Sequence, residues 1–484
     1  MTKIRLLALG LLSLLPISPG WAGDLHIGAA QVDITPDRPV ALAGQLYTRI
    51  STGVETPVTA TAVAIETRDG DRPEDQAIFV SCDLVGIRPD MAKRLRKQLS
   101  ERLPDFDSRK LVLSATHSHT APVTGYDRNA PTKEGVMPAA EYTDFLVNRL
   151  EDVCARAWQQ RAPGGVSWGL GHAVVGLNRR AVYADGTAKL YGATNRPDFR
   201  AIEGGEDHGL ELLYFWNRDR QPLAAAVNIE CPSQELEHNV KINADFWHDV
   251  RQSWRDGLVL GWPAACGDIT SHRLYRKAAE DRMLQLRGLT YTGEISRRIV
   301  REVRDVAELT RREIHTSLTF THLVADIPLP VRMVTTQEVA AARQAIEALQ
   351  QKKGDQSLRI GFYQQTIKRF ETQDQKPTYN CPVHVLRLGD IAIVTNPFEL
   401  FHDYGVQLKG RSRALQTFII ELTDASGRYL PTARAVAGGG YSATVESNMV
   451  GPEGGQLLVD RTVEMINSLW PAAAPTGKNK SETH

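Results

Sequence analysis

Two periods of apolar and polar positions alternate along the 484-residue chain and keep replacing one another. Residues 60–66, 77–82, 111–115 and 210–216 are short runs rich in Val, Ile, Leu and Ala, the pattern of strands buried in a sheet. Residues 383–388 and 391–395, either side of Gly389-Asp390, predict the two strands of a hairpin. A 3.6-residue period predicts helices over 89–103, 139–160, 246–258, 293–309, 336–351 and 455–470. In the fourth of these Ile295, Ile299, Val303 and Val306 keep the spacing of one buried stripe. No Ser/Gly/Pro-rich linker, charge block or internal repeat interrupts the alternation. The expectation is one large α/β domain over 23–471, a mixed sheet flanked by helices and closed by the last helix. A polar, Pro- and Gly-containing tail follows over 472–484.

The first 22 residues obey a different pattern. Lys3 and Arg5 precede an almost unbroken apolar run from Leu6 to Leu15, followed by Pro16, Pro19 and the small-x-small exit Gly20-Trp21-Ala22. This is the layout of a signal peptide cleaved after Ala22, and its apolar core is about half the ~20 residues that span a bilayer. The mature protein is therefore expected in the periplasm or outside the cell, without a transmembrane segment. Removing the leader takes two basic residues from 57 Lys+Arg against 57 Asp+Glu, and 55 against 57 leaves no basic excess to bind nucleic acid. Cys82, Cys154, Cys231, Cys266 and Cys381 are odd in number and contain no C-x-x-C pair. Buried free thiols compete here with a single Cys231–Cys266 bridge. Oligomeric state is not legible in the sequence.

Chemistry concentrates where apolar runs turn polar. The run 111–115 passes directly into Thr116, His117, Ser118, His119 and Thr120. Two residues apart in an extended segment, His117 and His119 point the same way, and such a pair can bind a metal or divide ligation from proton transfer. A polar exit from a strand accounts for the pair equally well. Asn178, Arg179 and Arg180 form a second cluster, suited to carboxylates, phosphates or a developing oxyanion. Gly267-Asp268 precedes the hydroxyls of Thr270 and Ser271, which fit a helix cap as readily as catalysis. Glu399 follows the apolar run 391–394.

Taken in order, Ile27-Gly28-Ala29-Ala30-Gln31-Val32-Asp33-Ile34-Thr35-Pro36, the segment from Ser114 to Pro122, Asn178-Arg179, Gly267-Asp268 and Asn396-Pro397-Phe398-Glu399 resemble the N-terminal catalytic domain of the neutral/alkaline, non-lysosomal ceramidases. The resemblance runs over 27–470; the family's C-terminal immunoglobulin-like domain is not expected here. It implies a zinc-dependent hydrolase on an α/β catalytic domain, cleaving the amide of an N-acylated sphingoid base. By the same resemblance His117 and Glu399 are zinc ligands, His119 moves protons and Arg179 stands near the scissile carbonyl. The family's functional serine falls on Thr270, with Ser271 beside it.

The departures are specific. A further histidine ligand of the family has Cys231 and Pro232 in its place, leaving Cys231, His238 or Asp245 to complete the site. Its tyrosine ligand has no counterpart before Glu453-Gly454, and Tyr441 lies upstream. Two other functions therefore stay open: an exported lyase or hydrolase acting on an acidic polysaccharide or oligosaccharide, and a non-catalytic carbohydrate- or lipid-binding protein. Loops 126–132, 178–183 and 195–206 carry Arg128, Arg179, Arg180, Arg196 and Arg200 among few aromatics. They predict weak activity on long-chain ceramide and better turnover of a water-soluble polar or anionic substrate.

Overall fold

Two sheets share one core. The structure, a computed structural model, describes residues 22–126 and 134–471. Residues 1–21 of the expected leader, the 472–484 tail and Arg128 lie outside the described residues. The larger sheet runs in the order Leu258–Pro263, Pro222–Ile229, Gly209–Asn217, Ala162–His172, Gly23–Asp33, Thr59–Asp69, Arg72–Cys82, Leu111–Ala115, with Ser317–Leu318 pairing Gly23–Asp33. It is mixed: antiparallel through its middle, parallel at both ends. The smaller sheet is Phe320–Pro330, Thr378–Leu388, Ile391–Thr395 and Gln416–Ile420.

The period of two along Thr59–Asp69 shows how the layers form. Ala60, Ala62 and Ala64 pack in one cluster with residues of the helices Pro89–Arg102 and Ala139–Gln159. Val63 and Ile65 belong instead to a cluster with Leu386, Ile391, Ile393 and Phe418 of the smaller sheet. Small residues let the helix approach closely, and a Cβ added at Gly28 would lie 2.1 Å from the Ala157 carbonyl oxygen. The large sheet curls until its end strand returns on its own other side. Phe79 packs on Trp262 at 5.4 Å, and Ser81 Oγ donates to the Gly261 carbonyl at 2.8 Å.

Asn228 links the sheets. Its Nδ2 donates to the carbonyls of Trp262 (2.9 Å) and Ile419 (2.7 Å), and its Oδ1 accepts from the Ile419 N–H at 3.0 Å. A buried amide side chain thus supplies the pairing that a neighbouring strand supplies elsewhere.

The expected elements form with small shifts at their ends. The helix expected over 246–258 stops at Ser253, because Leu258, Val259 and Leu260 belong to the strand Leu258–Pro263. The Cys231–Cys266 bridge does not form: all five cysteines are free and buried. The Cys266 thiol donates to Glu421 Oε1 at 2.9 Å and Cys231 to the Pro232 carbonyl at 3.6 Å, so each sulfur has a local acceptor.

Candidate active site

The strand Leu111–Ala115 delivers its chain to the site through a turn. His117 takes φ 67°, a left-handed conformation that costs a non-glycine residue roughly 1–3 kcal/mol. The two histidines do meet, with ring centroids 4.7 Å apart at 76°, but this turn brings them together, not strand alternation. His117 Nδ1 lies 2.6 Å from the Val85 carbonyl oxygen. A carbonyl only accepts, so Nδ1 carries the proton and, in the neutral ring, Nε2 presents its lone pair. That Nε2 faces Glu399 Oε2 at 3.5 Å.

Glu399 sits on Phe398–Leu400, which pairs in parallel with Arg428–Leu430. Burial pushes its carboxyl up, but His117, Arg179 and the Tyr429 hydroxyl together hold it below the ordinary carboxylate value. His119 Nδ1 lies 3.1 Å from Glu237 Oε2, while its Nε2 is buried without a hydrogen-bond partner. Burial lowers this imidazole to about 4, so it is neutral near pH 7. Gly44, at φ 90°, lies against the ring so closely that an added Cβ would sit 2.5 Å from His119 Cγ.

Behind His119 runs a chain of groups that the sequence did not single out. Glu237 Oε1 accepts from His272 Nε2 at 3.0 Å, and His272 Nδ1 lies 3.2 Å from Glu235 Oε2. Facing two carboxylates, His272 donates from both nitrogens only as an imidazolium. Burial works against the charge, yet the two carboxylates raise the ring to about 9. Glu237 moves the opposite way: the hydrogen bonds from His119 and His272 outweigh its burial and hold it well below the usual range.

Arg179 is buried at the cleft floor. It donates to the Tyr191 hydroxyl (2.8 Å), Gln234 Oε1 (3.2 Å), the Gly267 carbonyl (2.9 Å) and the Tyr429 hydroxyl (3.4 Å). All four partners are neutral, and among the described residues no carboxylate oxygen lies within 4.0 Å of it. Its neighbour Arg180 points elsewhere and pairs with Glu203 at 2.6 Å.

No protein-family model matches the sequence, and no curated protein matches it. Solved structures do. The neutral ceramidase from Pseudomonas aeruginosa superposes with a TM-score of 0.64 at 15% identity, covering 92% of this chain and 74% of that one. A ceramidase complexed with C2 gives a TM-score of 0.64 at 16% identity, covering 94% of this chain and 77% of that one. The chain has the neutral-ceramidase fold.

On this ceramidase fold the remaining candidates take supporting places. Thr270 Oγ1 accepts from the His272 N–H at 3.1 Å and lies 3.4 Å from the Tyr191 hydroxyl; Ser271 Oγ donates to Glu235 Oε2 at 3.3 Å. Both hydroxyls therefore hold the His272 end of the chain. His238 is 75% exposed, 3.8 Å from Glu237. Asp245 has both oxygens engaged, accepting from the N–H groups of Phe246 and Leu236 at 2.8 Å each, and burial pushes it up to about 7. It caps a helix and clamps the loop that carries Glu235 and Glu237. Cys231 keeps its thiol on the Pro232 carbonyl.

Two tyrosines gather beside Glu399. The Tyr429 hydroxyl is hydrogen-bonded to Glu399, and Tyr441 packs edge-on against Tyr429 at 5.7 Å. Burial, with Glu399 nearby, pushes Tyr441 up to about 12. Among the described residues no group of three or more His, Cys, Asp and Glu side chains converges on a metal position. The donors that do converge are His117 Nε2, the Glu399 carboxylate and a phenol. The 3.5 Å gap between the first two is at the outer limit of a hydrogen bond. It is close to the about 3.4 Å that separates two ligands held at ~2.0–2.1 Å by a tetrahedral ion. The spacing of the pair fits two ligands of one zinc ion; Tyr429, hydrogen-bonded to Glu399, is the adjacent phenol.

Proposed function

We propose that the protein is an exported, ceramidase-like, metal-dependent hydrolase that cleaves an amide (N-acyl) bond with water. One observation carries the reading: the lone pair of His117 Nε2 and the Glu399 carboxylate face each other across 3.5 Å, beside the unpartnered Nε2 of His119. His117, Glu399 and the phenol of Tyr429 or Tyr441 would hold zinc, which when bound lowers the pKa of water towards ~7 and polarises a carbonyl. His119 does the proton work. Its Nδ1–H is fixed on Glu237, so Nε2 accepts the proton of the attacking water as the O–C bond forms. It returns that proton to the leaving nitrogen as the C–N bond breaks. Arg179 supplies positive charge near the carbonyl oxygen as it becomes an oxyanion.

Metal analysis of the purified mature protein tests this reading. About one zinc per chain is expected in wild type, with most of it lost in His117→Ala and in Glu399→Ala while both variants keep a wild-type circular dichroism spectrum. Full zinc in both variants would put the metal elsewhere, and a folded wild type with no affinity for zinc would remove the metal from the reading.

A further inference from the structure

We infer that the cleft over this site receives a water-soluble, hydroxyl-rich substrate of the saccharide class bearing a carboxylate, and not a two-chain lipid. The inference rests on the hydrolase reading only for the position of the chemistry. The cleft measures about 1110 Å³, just above the ~300–1,000 Å³ usual for small-molecule sites. A ceramide must leave a membrane and bury its tails, each CH₂ contributing about 0.8 kcal/mol, and that requires a continuous apolar trough. The side-chain lining does not supply one. Its larger aliphatic members are three leucines, Leu46, Leu190 and Leu274, and the lining also holds Gln45, Asn195, Glu235 and Arg273. One rim is the helix Lys277–Arg287, which buries no residue and turns Lys277, Ala278 and Asp281 to the cleft. Its exposed Met283 and Leu286 are outside the lining. What the cleft does offer is phenol rings, with Tyr191, Tyr275 and Tyr441 exposed by 40%, 53% and 38%. Such rings stack on sugar faces while carboxylates and amides take the hydroxyls.

The charges point to the carboxylate. Arg273 pairs with Asp281, and His272 is enclosed by Glu235 and Glu237. After this pairing Arg179 at the floor and Lys277 at the rim stand without an ion-pair partner among the described residues. Arg179 shares a longer-range attraction with Glu399, and where Glu399 serves the proposed metal the guanidinium charge is left for an anionic group of the ligand.

Isothermal titration with trigalacturonate, with neutral galactotriose, and with long-chain ceramide in mixed micelles tests the inference on wild-type protein, Arg179→Gln and Lys277→Glu. The acidic trisaccharide should bind at least tenfold tighter than the neutral one. Lys277→Glu, a surface change that leaves the fold intact, should remove most of that preference at low salt, and Arg179→Gln should remove it if folded. Equal binding of the two trisaccharides, no binding of either, or tighter binding of ceramide would overturn the inference. Zinc content measured on the same samples keeps the two readings apart. Zinc without saccharide binding sinks this inference alone, and saccharide binding without zinc sinks the metal-dependent mechanism alone.

Discussion

Replacing Glu237 by Gln changes one atom and separates the two histidines it joins. In wild type each carboxylate oxygen accepts from a ring: Oε2 from His119 Nδ1 at 3.1 Å, Oε1 from His272 Nε2 at 3.0 Å. An amide presents one oxygen and one NH₂, so only one ring can keep its donation. If the NH₂ turns to His119, the ring must switch tautomer, and Nε2 gains the proton that stops it acting as a base. If the oxygen turns to His119, His272 loses an acceptor. Either way one charge-assisted hydrogen bond goes, about 1.5–3 kcal/mol, and kcat should fall roughly 10- to 100-fold with KM little changed.

The same change has a pH signature that needs no substrate. His272 is raised to about 9 against an unfolded value of ~6.5, so its stabilising share is full below pH ~6.5 and is lost as pH rises through about 9. Glu237 is depressed, so its share is present above its unfolded ~4.3 and is lost only as pH falls through a lower folded value. The melting-temperature difference between wild type and Glu237→Gln should therefore be widest between pH ~5 and ~6.5, narrowing towards pH 9 and below pH 4. Thermal melts across pH 3–10, with turnover of an N-acyl amide that the wild type hydrolyses, read both effects. A variant within twofold of wild type in kcat, with a parallel melting profile, would refute the reasoning.

Other expectations are simpler. Asn228→Ala leaves the Ile419 N–H and two carbonyls without partners in the core, and should lower unfolding free energy by about 2–4 kcal/mol in urea titrations. All five thiols should resist a thiol reagent in the native protein and react only on unfolding; prompt labelling of Cys231 or Cys266 would contradict their burial. N-terminal sequencing of the exported protein should begin at or near Gly23, and an intact Met1 would sink the leader reading.

Elements that carry their own stripe were legible. Leu111–Ala115 has the bounds that the apolar run predicts, and Tyr291–Thr310 buries Ile295, Ile299, Val303 and Val306. The helix Lys277–Arg287 was not, because it buries nothing and so shows no periodic face. The second sheet was hidden for the opposite reason in two of its strands: Ile391–Thr395 and Gln416–Ile420 are buried almost throughout, and such strands look alike whichever sheet holds them. At the site, His117, His119 and Glu399 stand out because apolar runs turn polar beside them, and Arg179 because it opens an arginine pair after Asn178. Glu235, Glu237 and His272 do not. Alternating carboxylates around Leu236 look like a solvated edge, and only the folded chain brings them to a histidine from another segment. Tyr429 is likewise an ordinary strand residue until Phe398–Leu400 pairs beside it.

The link between the sheets has a consequence for how such a chain can change. His117 and His119 follow the last strand of the large sheet, whereas Glu399 and Tyr429 stand on a strand pair beyond the small one. The amide of Asn228 fastens the large sheet to the small. On the metal-dependent reading proposed above, affinity for the ion would be a property of the junction, and a substitution there would retune it without touching a proposed ligand. A gene fusion that takes the first sheet from one parent and the second from another would inherit the proposed ligands from both and their alignment from neither.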